Sequence, residues 1–586
     1  MSDNLLAMRD LLARRLDRRT LVGGTAAGLF SLAVVDGRLV AAGPGGKTLP
    51  VSLVQDGGST ILIGTLGEAF SLNPFAANES ESFWRSKMLF DEFVRPDPQT
   101  YAATPGLAAS WEIDGLTFTF KIQPSATFSD GTDVTADDVK FTIEGILNPK
   151  TASEQANKFS AIMGAPEFTG AGTSTPVGTP AAGTPDATPV SATPFTGSTN
   201  GVSGIEVVDP KTLRITLSRP DASFLYNLQF VYVVPKAQLE GQPLDQTSTA
   251  PFFAKPIGAG PYVFQSWEVG ADFVATANPT FWETGKPSIQ SFTHRVIADS
   301  STLANALQTG EIDGSLYPAP TLKDQLEAVG TLDIVIPPFN SPNGTVFNCR
   351  VAPFDKPEVR KAVAMAVNVD AYVSDSLLGL GQAGLGPIAP DSWAYDKTLT
   401  AIPHDPEAAR AIFEANGMID QTYQLITNAG NILREDWSIR LQADLKDLGV
   451  NIDFSPIEYV SVVERVTKTY DFQMESGDFA GVTADPNDLF DQFHSTGASN
   501  YTGYNSPELD AMLEQAREIL DQEQSKPIWA QVQQHLMDAL PMHWAWYRPF
   551  IYVIDKRYTG YTLSNLSGGI FRTLPEMTMT APAASV

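Results

Sequence analysis

Two adjacent arginines, Arg18 and Arg19, stand before a 15-residue run, Leu21 to Val35, in which apolar side chains alternate only with small ones. Val40-Ala41-Ala42 then ends the segment on small residues. A twin arginine, a short and weakly apolar core and a small-residue exit read as a twin-arginine export signal over residues 1–42. The run is shorter than the ~20 residues a helix needs to span a bilayer. The mature chain is therefore expected to begin near Gly43 and to work outside the cytoplasm, in the periplasm or at the outer face of the cytoplasmic membrane. This constrains the fold. The chain has one cysteine, Cys349, so no internal disulfide can staple an exported body. The twin-arginine route also implies folding before crossing. Stability must come from a core, and 43% hydrophobic residues in 586 supply one large enough for two to four domains at ~150 residues each. Cys349 is far from the N-terminus, so there is no lipobox cysteine for a lipid anchor.

Net charge is −28. Residues 1–42 hold six arginines and four aspartates, a sum of +2, which leaves the remainder at −30. So acidic a body argues against nucleic acid and anionic membrane surfaces, both of which need cationic patches.

Several elements are legible. Thr60-Ile-Leu-Ile-Gly64 reads as a strand. Trp111 to Ile122 reads as a hairpin turning at Asp114-Gly115, with Leu116, Phe118, Phe120 and Ile122 alternating with polar residues. Thr135-Ala-Asp-Asp138 caps a helix running through Val139, Ile143 and Ile146. A second hairpin, Gly204 to Leu217, turns at Asp209-Pro210. Helices are expected over 301–310, 357–367, 406–416, 437–448, 506–520 and 526–540, and Leu448-Gly449-Val450 begins a helix–Gly–strand step of an α/β lobe. Between the hairpins, residues 168–204 carry five Thr-Pro pairs among Gly, Ala and Ser, with Asp186 the one charge. This segment is too poor in large apolar residues to offset its ordering entropy, and is expected to be a flexible surface insertion.

Common catalytic constellations are missing from the sequence. The histidines at 294, 404, 494, 535 and 543 form no HExxH, and there is no GxSxG elbow. Gly379-Leu-Gly381-Gln-Ala-Gly384 matches GxGxxG but follows a helix-like segment and precedes Pro387, the wrong context for a dinucleotide. Asp485-Pro-Asn-Asp488 reads as a turn with a helix cap, with a cation cluster as the alternative. No cofactor, metal site or enzymatic reaction is expected.

Leu107-Ala-Ala-Ser-Trp111, Phe128-Ser-Asp-Gly131, Thr135-Ala-Asp-Asp-Val-Lys-Phe141, Pro256-Ile-Gly-Ala-Gly-Pro-Tyr262, Asn278-Pro-Thr-Phe-Trp282, Ala306 to Asp313, Phe347-Asn348 and Val359-Arg-Lys-Ala362 occur in an order and spacing that resembles the peptide/nickel family of solute-binding proteins of ABC importers. The resemblance covers roughly Ser52 to Tyr561 apart from the Thr-Pro insertion. It implies an α/β fold of the two-lobe periplasmic-binding-protein type (type II, the large class with an extra inserted subdomain), hinged between the lobes. Lobe I would comprise 43–80, 204–297 and 541–586, the inserted subdomain 81–203, and lobe II 298–540. The implied function is capture of a peptide or peptide-like solute between the lobes by a monomer, and delivery to a membrane permease with its ATPase. A nickel chelate, an oligosaccharide or another small organic solute is the alternative ligand, and a sensor or chaperone the alternative role. A secreted hydrolase is the least supported reading.

Relatives that bind peptides place an aspartate before an Asp-Pro block to pair with the peptide amino terminus. Here the ungapped position falls on Val482, and Asp478 serves only with a shift of a few residues. Asp478 with its neighbour Phe479, Trp393 and Tyr395 after the Gly-rich loop, and Phe83 and Trp84 after the first crossover are the expected ligand contacts. Trp544, Trp546 and Tyr547 are expected in the core of lobe I.

Overall fold

The computed structural model describes residues 59–580 except 70, 78–79, 170–200, 243, 245–249, 338–341, 391, 479–484, 498, 565 and 567; the side chains of 460 and 478 are also outside it, and 31–35, 38–42 and 48–50 are described by backbone alone. The chain divides into Met1–Gly58 and Ser59–Val586. In the first unit, Ser31–Val35, Arg38–Ala42 and Thr48–Pro50 form an antiparallel meander. Arg18, Arg19 and most of the Thr-Pro insertion lie outside the described residues.

The second unit has two lobes, each built on its own mixed sheet. The first sheet has seven strands in the order Tyr262–Ser266, Phe273–Ala277, Ser291–Val296, Thr60–Thr65, Gly314–Leu316, Tyr552–Asp555, Leu332–Val335. Thr60–Thr65 is central and parallel to both neighbours, and the even, largely buried run of Ile61, Ile63 and Thr65 suits that place. The second sheet has six strands in the order Gln382–Ala383, Met542–Tyr547, Pro342–Phe347, Met474–Asp478, Thr422–Asn428, Asn451–Ile457. Separate apolar clusters fill the two lobes.

A four-stranded antiparallel sheet, Ala108–Asp114, Thr117–Ile122, Thr212–Thr216, Ile205–Asp209, makes the inserted subdomain. Both expected hairpins are there. Gly115 takes φ 59° at the first turn, and the Asp209 carboxylate accepts from the Lys211 amide at 2.8 Å at the second. The helix Ala136–Leu147 begins where Thr135 donates its amide to the Asp138 carboxylate at 2.9 Å. The helix Ser300–Thr309 ends on Gly310 at φ 70°.

Three expected boundaries are corrected by strand pairing. The subdomain extends past 203, because Ile205–Asp209 and Thr212–Thr216 complete its sheet. Lobe I extends past 297, because Gly314–Leu316 and Leu332–Val335 pair within its sheet. The chain returns after 541, because Met542–Tyr547 pairs with Pro342–Phe347 in the second lobe. The lobes are thus joined by the segments between Val335 and Pro342 and between Tyr547 and Tyr552. Pro342 lies opposite Tyr547 on one side and Val335 opposite Tyr552 on the other, so the two crossings start and finish side by side.

Trp544, Trp546 and Tyr547 are buried as expected, but in the second lobe. A register shift between Asn343 and Gly344 interrupts the alternation. Trp544 packs on Phe493 (ring centroids 5.8 Å apart) and Trp546 on Tyr372 (5.3 Å), in separate clusters. Two helices begin earlier than expected: Ile432–Asp447 is capped by the Asn431 side chain, and Gln522–Ala539 by Asp521, with a polar first turn that hides its start.

Candidate functional site

A cavity of about 200 Å³ lies between the lobes. From the first lobe, Tyr101, Leu225 and Tyr226 line it; from the second, Trp393, Asp485 and Trp529. Local chemistry puts each side chain there. Asp97 accepts the amides of Gln99 (3.0 Å) and Thr100 (2.7 Å), tightening a turn that leaves Tyr101 at φ 61° between Val94–Pro96 and Ala103–Pro105. Tyr226 rides on the short helix Phe224–Asn227. Asp485 closes the expected turn: its carboxylate accepts the Asn487 amide at 2.9 Å and side-chain nitrogen at 2.7 Å, and the helix Asp488–Phe493 follows.

Asp485 is 8% exposed. Burial, and then the charge of Asp488, push its carboxyl up to about 6. Burial also raises Asp488, against the pull of Lys158, whose ammonium lies 3.0 Å from Asp488 and 3.8 Å from Asp491. Lys158 is held above its ordinary range by these carboxylates although burial opposes it. Burial, then Asp488, lifts the Tyr226 hydroxyl far above the usual phenol range. Two carboxylates, Asp488 and Asp491, thus share one lysine, and the strongest influences on the neighbouring Asp485 include no positive charge.

A larger cavity, about 460 Å³, lies within the first lobe and is lined by Lys87, Asp91, Arg95 and Arg572 among others. Its charges are matched internally. Lys87 pairs with Glu92 at 2.7 Å, Arg572 binds the same carboxylate, and Arg95 bridges Asp91 (2.6 Å) and Glu283. Burial would raise Asp91, but the charge and hydrogen bonds of Arg95 take it below the usual carboxylate range. Lys87, Arg95 and Arg572 are thus each met by a carboxylate of this cluster. Among the described residues no group of three or more His, Cys, Asp or Glu is placed to hold a metal ion.

Of the expected contacts, Trp393 lines the interlobe cavity. Tyr395 packs on the second-lobe core nearby. Asp478 ends the strand Met474–Asp478 opposite Asn343, and the chain runs from it through 479–484 to Asp485; Phe479 lies outside the described residues. Trp84 is not a cleft wall. It is 1% exposed, gives its indole N–H to the Phe571 carbonyl at 3.0 Å and packs on Phe292 and His294 in the first-lobe core. Phe83 packs edge-on against Phe230 (centroids 5.6 Å apart), whose ring in turn lies 5.2 Å from the Lys158 ammonium. Tyr101, Tyr226 and Asp485 escaped sequence reasoning. Asp485 carried a signal in its Asp-Pro-Asn-Asp turn, but a turn acid looks the same in sequence whether it faces solvent or a cavity.

Such an interlobe cavity, on two sheets joined by a paired crossing, is the architecture of a binding protein that closes on a small solute. Residues 102–501 match the family described as bacterial extracellular solute-binding proteins, family 5. The chain belongs to this family. It is 24% identical over 515 residues to di/tripeptide-binding protein 1 of Pseudomonas aeruginosa strain UCBPP-PA14, covering 85% of this chain and 90% of that one. Among solved structures it resembles the oligopeptide-binding protein AppA of Bacillus subtilis in complex with a nonapeptide (TM-score 0.77, 23% identity, 89% of this chain and 99% of that one). It also resembles NikZ of Campylobacter jejuni in complex with Ni(L-His) (TM-score 0.74, 22% identity, 89% and 99%). Among the described residues no helix is long and apolar enough to cross a membrane.

Proposed function

We propose that this chain is the extracytoplasmic substrate-binding component of an ABC importer, and that it captures a small peptide or peptide-like solute carrying a protonated amine. The observation that carries this reading is the buried excess of carboxylate at Asp485 in an aromatic-walled cavity between the lobes. An ammonium group placed there restores charge balance and returns Asp485 to its ordinary range. Trp393, Tyr101 and Tyr226 supply apolar walls, the usual partners of a few oriented polar groups in solute sites. Asp478 and Phe479 are proposed as further contacts, since Asp478 ends a strand seven residues before Asp485 in the sequence. Solute bridging both lobes favours the closed form, which then docks on a membrane permease driven by its ATPase. No bond is made or broken. One chain supplies both walls of the cavity, in keeping with action as a monomer, and the Arg18-Arg19 segment is proposed to export the folded chain by the twin-arginine route.

The test is thermal unfolding of the protein against di- and tripeptides, nickel–histidine and oligosaccharides. A solute at 100 times its dissociation constant adds about 2.7 kcal/mol. A shift with peptides that is lost on N-acetylation of the peptide and in Asp485→Asn is the expected result. A shift with oligosaccharides alone, or an undiminished peptide shift in Asp485→Asn, overturns the amine-anchoring reading. A shift with nickel–histidine alone changes the solute class.

A further inference from the structure

Beside the cavity the lobes are bridged by pairs of the protein's own charges. Asp221 of the first lobe pairs with Arg517 of the second at 3.1 Å, with side chains 0% and 6% exposed. The Ala222 amide donates to the Arg517 carbonyl at 2.9 Å, and the Arg517 guanidinium lies 4.3 Å from the centre of the Phe490 ring. Asp221 is fixed in turn by the Ser223 hydroxyl at 2.7 Å and amide at 3.1 Å. The second bridge is Lys158 to Asp488 and Asp491, with the Lys158 carbonyl held by the Asn227 side chain at 3.2 Å.

We propose that these two ion pairs are a latch that keeps the lobes closed without solute. The inference requires only the two lobes and is independent of the solute's identity. Asp221, Arg517 and Lys158 are each oriented by their own lobe, through Ser223, Phe490 and Phe230, so neither pair needs an occupant to form. Both join elements that flank the cavity: Ala222 and Tyr226 line it beside Asp221, and Asp485 and Asn487 line it beside Asp488. Opening separates Arg517 from Asp221 and Lys158 from its carboxylates, and the desolvated Asp221–Arg517 geometry is lost. The solute-free protein is therefore mostly closed, solute enters during brief openings, and the latch slows association while prolonging residence. On this view the permease has to break protein–protein ion pairs as well as release solute.

The deciding measurement is small-angle X-ray scattering of the full chain, refolded from denaturant to strip any bound solute. The wild type is expected to scatter as the closed form. Replacing the charges in K158M/D221N/R517M is expected to shift the pair-distance distribution to longer distances, with K158M alone giving a smaller shift in the same direction. A wild type as extended as the triple variant overturns the latch. So does a triple variant that stays as compact as the wild type. Circular dichroism checks folding of each variant; if the triple variant does not fold, K158M decides, and an unchanged distribution for it counts against the latch. Because no solute is present, failure here leaves the peptide-binding reading intact, and failure of the solute panel leaves the latch intact.

Discussion

In the first-lobe cavity three cations, Lys87, Arg95 and Arg572, meet three carboxylates, Asp91, Glu92 and Glu283. Beside the interlobe cavity two carboxylates, Asp488 and Asp491, meet Lys158, and no cation is among the strongest influences on the neighbouring Asp485. Both clusters are buried and use the same residue types, but their sums differ. The matched cluster holds Asp91 below the usual carboxylate range, whereas the unmatched one pushes Asp485 up to about 6. Burial is common to both, so it does not distinguish a structural cluster from a binding one. The missing counter-charge does.

The comparison breaks most sharply on removing one acid from each side. Glu92→Gln leaves Lys87 and Arg572 buried without their shared carboxylate and is expected to cost about 3–5 kcal/mol, read as a lowered denaturant midpoint. Asp485→Asn should do the reverse. It removes a charge whose carboxyl stands about two units above its usual 3.8, so at pH 7 stability should rise, by at most about 3 kcal/mol at 1.36 kcal/mol per unit. The same variant should lose about 2–5 kcal/mol of affinity for an amine-bearing solute, the usual cost of truncating a buried charge partner. A variant that gains stability while losing ligand identifies a binding acid; loss of both would assign Asp485 to the scaffold.

Acidity sharpens the contrast without mutation. A carboxyl raised on folding takes up protons between its unfolded value near 3.8 and its folded value of about 6. The folded chain binds more protons in that window, so the Asp485 contribution falls as pH rises through it and its penalty is complete above it. Asp91 has the opposite sign: its stabilisation is present above its unfolded value and is lost only as pH falls through its lowered folded value. Between pH 7 and 5, therefore, wild type minus Asp485→Asn stability should become less negative, and affinity for an amine solute should weaken below pH 6. Calorimetry of both proteins across that range checks each slope. The smallest expected effect is Lys158→Met, about 1.5–3 kcal/mol from its charged hydrogen bond to Asp488, together with a further rise of the Asp488 carboxyl visible by NMR titration.

Hairpins and helix caps were legible because their determinants are local: Asp114-Gly115, Thr135 with Asp138, and Gly310 each act within a few residues. The pairing of Gly314–Leu316 with Thr60–Thr65 and Tyr552–Asp555 is not local, and it decides where one lobe stops. Nothing near residue 297 or 541 signals a partner hundreds of residues away. The Trp544/Trp546 pair misled for another reason: alternation holds only in regular strands, and the register shift opposite Ala545 is set by Pro342–Phe347. In the site, Trp393 was found because a Trp in a Gly- and Pro-rich loop has little local reason to be there. Trp84 misled because its position after an expected crossover outweighed its place on a helix face that packs on Phe292.

The Met163 carbonyl accepts both the Gly204 amide at 2.7 Å and the Ser203 hydroxyl at 3.4 Å, so the chain leaves the subdomain and comes back at one point. Closing a loop between fixed neighbouring ends costs only about 0.6 kcal/mol for each doubling of its length. The fold is thus indifferent to how much chain is spliced between these ends. For the protein engineer this makes the neck at Met163 and Gly204 a socket, where chain spliced in is expected to leave the pairing of Ile205–Asp209 with Thr212–Thr216 intact.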